Sequence, residues 1–514
     1  MGTNAVRREL LLVFVAAVAL YLPTARYGFV QDDRAIIASN PGAHSIGAAL
    51  AAFNDPYWPR ESNAGLYRPV TILSYAVDWT VSGGRVGWLH LMNALWHGLA
   101  TVLLVVVLAR WLPALAAAAA GLVFAWHPVH VEAVANLVGR AELLVAVGIL
   151  GAVVAARRRW WIVAVACAAL AMFSKEHGVI AAVVILLDKW LQPADDPPYP
   201  AAFWLALGVV TLGFLAAWFA VGWVGENDAA AVFYGRSALG RLALALPAVL
   251  RACVLLVWPV SLSSDYSPRV IPAYSGLSFA AVIGCAIAIA VPILIVWCRR
   301  RAPAISLAAG LAVLSYLPTA NLLFASGIVL AERNLYLAVA LPAAVIGSGF
   351  AWLEQRQRWR AAVAVLSLVA VACCTRSLLR LTAWRDNRAQ LLTLLLEHPE
   401  SYLGHASAAA VLAGRGDTAG ARHQYHLADS LFTGDPYLDA AHAIFLLGLG
   451  DTAAAEPLVA RIRARSAGVA DRTGLRARFL FELHRGDHTG ATLVRDSALV
   501  LFPSDTTWYH NYLQ

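Results

Sequence analysis

The sequence predicts an all-α protein in which a polytopic membrane domain precedes a soluble helical domain. Of its 514 residues, 60% are hydrophobic and 14% are charged, whereas soluble domains contain about 25% charged residues. Apolar runs recur as far as residue 379, and several are long enough to cross a bilayer as a helix. Beyond residue 380 the composition becomes polar, and an internal repeat begins.

Basic residues between the apolar runs set the expected orientation. The formal net charge is +8, but residues 380–514 contain 13 Arg against 14 acidic residues, so the positive excess lies before them. There it concentrates in short loops, which include Arg110, Arg157 and Arg299. This pattern is typical of cytoplasmic loops and argues against a nucleic-acid partner. The N-terminus is therefore predicted to be cytoplasmic.

Placing the basic loops inside predicts about eleven membrane-spanning helices. The predicted spans are 9–26, 89–109, 113–126, 141–156, 160–173, 179–191, 201–223, 278–298, 303–320, 335–353 and 361–379. The apolar stretch 241–259 would break the alternation of sides, so we expect a re-entrant or interfacial segment there. The membrane domain is then 1–379, and its first external loop is 27–87.

A repeated Gly-Asp pair organises the second domain, 380–514, which is predicted to lie outside. The pair at 416–417 recurs at 450–451 and 486–487, with spacings of 34 and 36 residues. A period near 34 with a turn between two helices indicates tetratricopeptide repeats. Such units stack into a superhelix with a concave groove. A generic array of helical hairpins is the alternative reading.

Polar residues cluster on the predicted external side, beginning with the acidic pair Asp32-Asp33. A charge at the centre of a membrane helix costs about 2.5–3.5 kcal/mol, so several together suggest a shared, water-filled cavity. The candidate phosphate ligands are Arg68, Arg140, Lys175 and Arg333. The candidates for positioning a donor or acceptor are His127, His130, Glu132, Glu142, His177, Asp265 and Glu332.

This combination of residues suits the transfer of a sugar from a polyprenyl phosphate. A carboxylate of the acidic pair takes the proton of an acceptor hydroxyl, whose oxygen attacks the anomeric carbon and inverts it. Cations stabilise the departing lipid phosphate. The donor has one phosphate, so no metal is required. The six cysteines lack metal-ligand spacing, and a divalent metal at His127, His130 and Glu132 is the alternative.

Each candidate group also has a simpler structural reading. The acidic pair could be a solvated cap where a helix leaves the membrane, and the histidines could make interfacial hydrogen bonds. The cations could pair with carboxylates near them in the sequence. These alternative pairs are Arg140 with Glu142 or Glu132, Lys175 with Glu176, and Arg333 with Glu332.

The order of the motifs along the chain resembles one known family. In order they are FVQDD at 29–33, YRPVT at 67–71, HLMN at 90–93, HPVHVEAVA at 127–135, VGRAE at 138–142, KEHG at 175–178, DYS at 265–267 and AERNLYL at 331–337. With the repeats, they resemble the transmembrane and tetratricopeptide-repeat-containing O-mannosyltransferases of the GT-C glycosyltransferase superfamily. The resemblance covers nearly the whole chain, although this sequence has only about three repeats.

The resemblance implies a GT-C fold whose first external loop carries the catalytic acid. It assigns the base to Asp32 or Asp33 and favours Asp32, the first acid of the pair. It implies dolichyl-phosphate mannose as donor and Ser/Thr hydroxyls of secreted proteins as acceptors. The high Ala and Arg content, with Lys only at 175 and 189, suggests a bacterial inner membrane and another polyprenyl-phosphate sugar.

The expected partners are therefore the lipid-linked donor and an exported polypeptide, which the repeat domain could hold. No further cofactor is expected. Two rival functions stay open at this point. The sugar could go to a lipid or a cell-envelope glycan, or the chain could be a non-enzymatic membrane scaffold or transporter. The absence of a visible duplication among the spans argues against the transporter.

Overall fold

The architecture is helical throughout the part of the chain that can be described. The computed structural model describes residues 3–58, 65–222, 229–272, 278–465 and 472–502. These residues form helices joined by turns, and none of them belongs to a strand. The predicted all-α class is therefore confirmed. Residues 59–64 of the first external loop and the end of the second domain, 503–514, lie outside the described residues.

The membrane domain contains fifteen α-helices within the described ranges. They are α1 (Thr3–Tyr21), α2 (Ile46–Ala51), α3 (Pro69–Ser82), α4 (Val86–Leu108), α5 (Ala114–Trp126), α6 (His130–Ala135), α7 (Arg140–Arg157), α8 (Trp161–Ser174), α9 (Ala181–Leu191), α10 (Ala201–Ala217), α11 (Ala238–Val257), α12 (Phe279–Cys298), α13 (Pro303–Tyr316), α14 (Ala340–Gln355) and α15 (Trp359–Leu381). The last helix reaches slightly beyond the predicted domain boundary at 379.

Eight helical stretches in the described chain are long and apolar enough to cross a membrane. They are Arg7–Arg26, Val86–Leu108, Leu137–Arg157, Ala201–Gly222, Ala238–Val257, Phe279–Cys298, Leu337–Gln355 and Trp359–Trp384. Three shorter apolar helices are Ala114–Trp126, Trp161–Ser174 and Pro303–Thr319. The predicted span 179–191 is instead a turn of 3₁₀ helix followed by the 11-residue α9. The chain is an integral membrane protein, while the number of crossings stays a prediction.

The two ends of the helical bundle differ in charge. At one end, here called the basic end, lie the loops that follow α4, α7, α9, α12 and α14. There Arg157 pairs with Asp188 at 2.5 Å, and Arg299 stacks over the ring of Trp190 at 4.0 Å. Arginine beside tryptophan is typical of a membrane interface. The opposite end carries Asp32 and is called the site end.

The apolar stretch 241–259 forms the continuous 20-residue helix α11. Near its start, Arg241 donates to the carbonyl of Leu322 at 3.2 Å. Near its end, the Leu256 carbonyl lies 3.2 Å from Nε2 of His127. Both partners belong to the site end, so α11 runs along that end of the bundle. This geometry supports the expected interfacial segment, although the helix is also long and apolar enough to cross.

Helix α7 is the centre of the bundle and carries part of the site at its start. Fifteen of its 18 residues are buried. Gly148 lets α7 approach α8 closely, because a Cβ there would lie 2.7 Å from backbone atoms of Cys167 and Ala171. Small residues at such crossings are what close packing of membrane helices requires. This packing fixes the middle of α7 against α8.

In the second domain, the described residues form one helix, α16 (Asn387–Glu397), and three helical hairpins. The hairpins pair α17 (Tyr402–Gly414) with α18 (Thr418–Leu431), α19 (Pro436–Gly448) with α20 (Thr452–Arg465), and α21 (Arg472–His484) with α22 (His488–Leu501). Each predicted Gly-Asp pair lies at the turn of one hairpin. The tetratricopeptide superhelix itself stays a prediction.

The Gly-Asp pairs are explained by the local backbone. Gly416, Gly450 and Gly486 have φ values of 81°, 75° and 76°, respectively, which residues with a side chain rarely adopt. Each aspartate that follows caps the next helix: Asp417, for example, accepts from the amide of Gly420 at 2.9 Å. Glycine reverses the chain and aspartate starts the second helix, so the pair recurs with the hairpin.

Replacing Gly450 by Ala should lower the free energy of unfolding of the second domain by about 1 kcal/mol, because alanine is strained at positive φ. Gly448→Ala, two residues earlier at the end of α19, is the matched control, since a Cβ there meets open space. Hydrogen exchange of the α19 and α20 amides in the full-length protein measures the local stability of both variants. Equal protection in the two variants would contradict this account of the turn.

Candidate functional site

The two aspartates of the acidic pair occupy different environments. Asp33 is fully buried, and its two carboxylate oxygens accept from the backbone amides of Val30 and Val138, both at 2.9 Å. Burial raises the pKa of Asp33 to about 7, while these hydrogen bonds act in the opposite direction. Asp33 therefore fastens the loop 27–87, which is predicted to be external, to the turn that precedes α7.

Asp32 points into a cavity instead. It is half-buried, and within the described part of the chain its carboxylate accepts no hydrogen bond and forms no ion pair. The cavity has a volume of about 90 Å³. Its lining residues are Asp32, Tyr57, Trp58, Leu66, Arg68, Val138, Ala141, Glu142, Lys175 and Arg333. The structure thus brings Asp32 together with three of the four predicted phosphate ligands.

Arg68 is held in the cavity wall by Glu176. Its Nε and Nη2 atoms donate to the Glu176 carboxylate at 3.0–3.1 Å, and its guanidinium lies 4.7 Å from the ring centre of Tyr57. The amide of Tyr67 also donates to Glu176 at 3.0 Å. Burial disfavours the ionised carboxylate, but Arg68 holds the pKa of Glu176 below its ordinary value.

Lys175 pairs with Glu142, which lies within the first turn of α7. The Lys175 ammonium also donates to the side-chain oxygen of Asn334 at 3.3 Å, and Nε2 of His177 lies 3.3 Å from Glu142. Burial lowers the pKa of Lys175, against the opposing charge of Glu142. These contacts place the predicted residues Glu142, Lys175 and His177 in one cluster.

Arg333 is the third cationic residue that lines the cavity. Its Nη1 donates to Glu132 at 2.7 Å, and its backbone amide donates to the same carboxylate at 3.0 Å. Its side chain remains 23% exposed, whereas that of Glu132 is 3% exposed. Part of the guanidinium is therefore open to the cavity. Glu132 acts as the residue that orients Arg333.

Arg140 lies outside the cavity lining, in contrast to the other predicted phosphate ligands. It is completely buried and pairs with Asp78 of α3. It also donates to the side chain of Asn93 at 2.7 Å and to the carbonyl of Leu89 at 2.9 Å, and it stacks on Tyr75. These contacts join α3, α4 and α7 and leave the guanidinium no exposed face.

Two of the three predicted histidines, His127 and His130, hold packed segments together and do not line the cavity. Nε2 of His130 lies 3.0 Å from the carbonyl of Tyr336, and His127 contacts the end of α11 as described above. Both rings are buried and hold packed segments together. Among the residues described, no group of three or more His, Cys, Asp or Glu side chains is arranged to hold a metal ion.

Glu332 and Asp265 lie between the membrane domain and the second domain. Glu332 accepts from the amide of Ser263 at 2.6 Å and from Arg380 at 3.4 Å. Asp265 accepts from the hydroxyl of Ser401 at the start of α17. The structure does not bring either carboxylate to the cavity. Asp265 contacts the second domain directly, whereas Glu332 is linked to it through Arg380 of α15, which also donates to Glu397 of α16 at 3.1 Å.

The cavity includes residues that the sequence analysis did not select. Tyr57 is 4% exposed, and its hydroxyl has no hydrogen-bond partner among the described residues. Trp58 stands beside it. The signal in the sequence that could have identified these residues is that two aromatic residues are adjacent within the loop 27–87. Val138 and Ala141 flank the start of α7, within the motif at 138–142 that was selected for its charged residues.

The fold and site define a class of protein: an integral membrane protein with a charged cavity at one end and a helical second domain beside it. No family model and no solved structure matches the chain. Curated relatives do match. Protein O-mannosyl-transferase F38B6.6 of Caenorhabditis elegans is 27% identical over 345 residues, which cover 65% of this chain and 50% of that protein.

Two further relatives carry the same description. Protein O-mannosyl-transferase TMTC4 of Homo sapiens is 26% identical over 484 residues, covering 81% of this chain and 65% of its own length. Protein O-mannosyl-transferase Tmtc2 of Drosophila melanogaster is 39% identical over 137 residues, or 26% and 15% of the two chains. The chain thus spans only part of each relative. The predicted resemblance to the transmembrane and tetratricopeptide-repeat-containing O-mannosyltransferases is confirmed.

Replacing Arg140 by Met should destabilise the fold by about 3–5 kcal/mol, because Asp78 would keep a buried charge without its partner. The double variant Arg140→Met/Asp78→Leu should recover much of that loss. Thermal unfolding of the purified protein in detergent measures both effects. A single variant as stable as wild type would show that Arg140 has no structural role and would reopen its assignment as a ligand.

Proposed function

We propose that the protein transfers a sugar, mannose by preference, from a polyprenyl phosphate to Ser/Thr hydroxyls of exported proteins. The single observation that carries this proposal is the free carboxylate of Asp32, which shares one cavity with Arg68, Lys175 and Arg333. A base and a cluster of cations are the two elements that this reaction needs. The relatives are named as protein O-mannosyl-transferases, which supports mannosyl transfer.

Asp32 is the proposed catalytic base. Its carboxylate is not used by any described hydrogen bond or ion pair, so it can accept the proton of an acceptor hydroxyl. The acceptor oxygen then forms a bond to the anomeric carbon as the bond from that carbon to the phosphate oxygen breaks. The displacement inverts the anomeric centre, and the lipid phosphate leaves as an anion. Asp33 has the supporting role of holding the loop.

Arg333, Lys175 and Arg68 are the proposed ligands of the donor phosphate. Each is already oriented by a carboxylate, namely Glu132, Glu142 and Glu176. Paired cations are fixed in place before the substrate arrives, so they need little rearrangement when charge develops on the phosphate. Arg333 is the most accessible of the three. Burial of the other two favours contact with an anion, since water competes poorly there.

The remaining cavity wall suits a sugar. The unpartnered hydroxyl of Tyr57 can donate to or accept from a substrate oxygen. Trp58 and Leu66 add apolar surface on the side next to the external loop. The three hairpins of the second domain support a polypeptide acceptor, because helical arrays of this kind present extended concave surfaces. Transfer to a lipid or envelope glycan is the rival outcome.

The relative effects of Asp32→Asn and Asp33→Asn test the assignment of the base. Asp32→Asn should lower the transfer rate by about 10²–10⁴-fold and leave stability unchanged, because only the proton acceptor is lost. Asp33→Asn should cost about 1–3 kcal/mol of stability, since its amide nitrogen would face a backbone donor. Initial rates and thermal unfolding distinguish the two. Full activity of Asp32→Asn would reject the assignment.

Arg333→Gln should raise the KM for the donor by about 10–100-fold, equivalent to the loss of a hydrogen bond to a charged group. Arg333→Lys should give a donor KM between those of wild type and Arg333→Gln, because lysine keeps the charge but lacks the planar guanidinium. The KM for the acceptor peptide should not change. Arg358→Gln, an exposed arginine at the basic end, is the control. An unaltered donor KM in Arg333→Gln would exclude Arg333 from the phosphate site.

A further inference from the structure

The external loop that carries Asp32 is held by the second domain as well as by the membrane domain. The amide of Gln31 donates to Oδ1 of Asn387 at 2.7 Å. The amide of Gly28 donates to the carbonyl of Arg385 at 3.1 Å. Asn387 is the first residue of α16, and Arg385 lies two residues before it, in the short segment that follows the last membrane helix. Two hydrogen bonds within four residues therefore fasten the loop to residues 385–387, which lead into α16.

The backbone at Gln31 requires such a contact. Its φ is +48°, in the left-handed region that residues other than glycine rarely adopt. A residue with a side chain stays in this region only where surrounding contacts fix it. The Gln31 side chain is exposed, so the fixed part is the backbone. The side-chain oxygen of Asn387 supplies the hydrogen bond that holds it.

Asp32 is the residue between two fixed points. Before it, Gln31 is bonded to Asn387. After it, Asp33 is bonded to the amide of Val138. The Asp32 carboxylate accepts no hydrogen bond from any residue in the described ranges, so the backbone on either side determines where it points. A misplacement of 1 Å at a reacting group can lower a rate by about 100-fold.

We propose that Asn387 is a positioning residue for Asp32, and that the second domain thereby completes the active site. The proposal rests on the proposed function, because it assumes that Asp32 is the base. Its chemical requirement is an acceptor oxygen at position 387, since the partner is a backbone N–H. The helical domain then has a role in the reaction itself, in addition to any contact with the acceptor polypeptide.

The test compares variants of the full-length protein in transfer from a synthetic polyprenyl-phosphate mannose to a threonine-containing peptide. Asn387→Ala removes the acceptor and should lower kcat by about 10–100-fold, with the donor KM within about twofold of wild type. Asn387→Asp keeps an oxygen in place and should recover most of the rate. Arg388→Ala, an exposed neighbour on the same turn, should behave as wild type.

Thermal unfolding of each variant separates positioning from stability. A wild-type kcat in Asn387→Ala overturns the proposal. A low kcat that Asn387→Asp does not recover, or that follows a matching loss of thermal stability, also overturns it, because the residue would then be only structural. If Asn387→Ala does not fold, Asn387→Gln, which displaces the oxygen by one methylene, takes its place with the same criteria.

The proposed function can fail separately from this inference. If the wild-type protein transfers no mannose from this donor, or Asp32→Asn keeps the full rate, the proposed function fails and the role of Asn387 with it. If Asp32→Asn is inactive while Asn387→Ala is as active as wild type, only the role of Asn387 is rejected.

Discussion

Burial of charge at the site end of an apolar bundle is the constraint on which the rest of the structure depends. An ionised carboxylate away from water is costly unless a cation or a donor accompanies it. Glu132, Glu142 and Glu176 each meet this requirement with a different cation. The pairs connect segments that are distant in sequence, so satisfying them also sets how the helices and loops approach one another.

Under this constraint, Asp32 differs from the other carboxylates at the site end, because it has no partner among the described residues. The buried carboxylate next to it, Asp33, is matched by two backbone amides. Asp32 stands at the cavity without a described partner, close to three cations that are already oriented. A group left unpaired within such a cluster can bind a proton or a substrate, whereas its paired neighbours maintain the shape of the cavity. The proposed division of roles rests on this difference in hydrogen bonding.

The sequence predicted the helical class, the hairpin turns and all five charged residues that line the cavity. It did not predict which charges pair. Arg140 was expected to bind phosphate or to pair with Glu142 or Glu132, yet its partner is Asp78. Lys175 pairs with Glu142 rather than with its neighbour Glu176. Spacing along the chain reports on contacts within one helix, but these pairs form between helices and depend on packing.

The same limit applies to the contacts of the acidic pair and to the contribution of the second domain. The family resemblance favoured Asp32 as the base, but no local pattern predicted that Asp33 is the buried member of the pair. Both residues are aspartates, and their environments differ because the turn before α7 donates an amide hydrogen bond to Asp33 and not to Asp32. Asn387 lies 356 positions after Gln31, so no local pattern connects the two. In contrast, the Gly-Asp pairs were predictable because both residues act within one turn of the chain.

The most direct test of the central claim is a structure of Asp32→Asn bound to a polyprenyl-phosphate mannose. The account predicts that the phosphate contacts Arg333 and at least one of Lys175 and Arg68. It also predicts that the anomeric carbon faces residue 32 across a space large enough for an acceptor hydroxyl. A phosphate bound elsewhere, or a sugar turned away from residue 32, would contradict it.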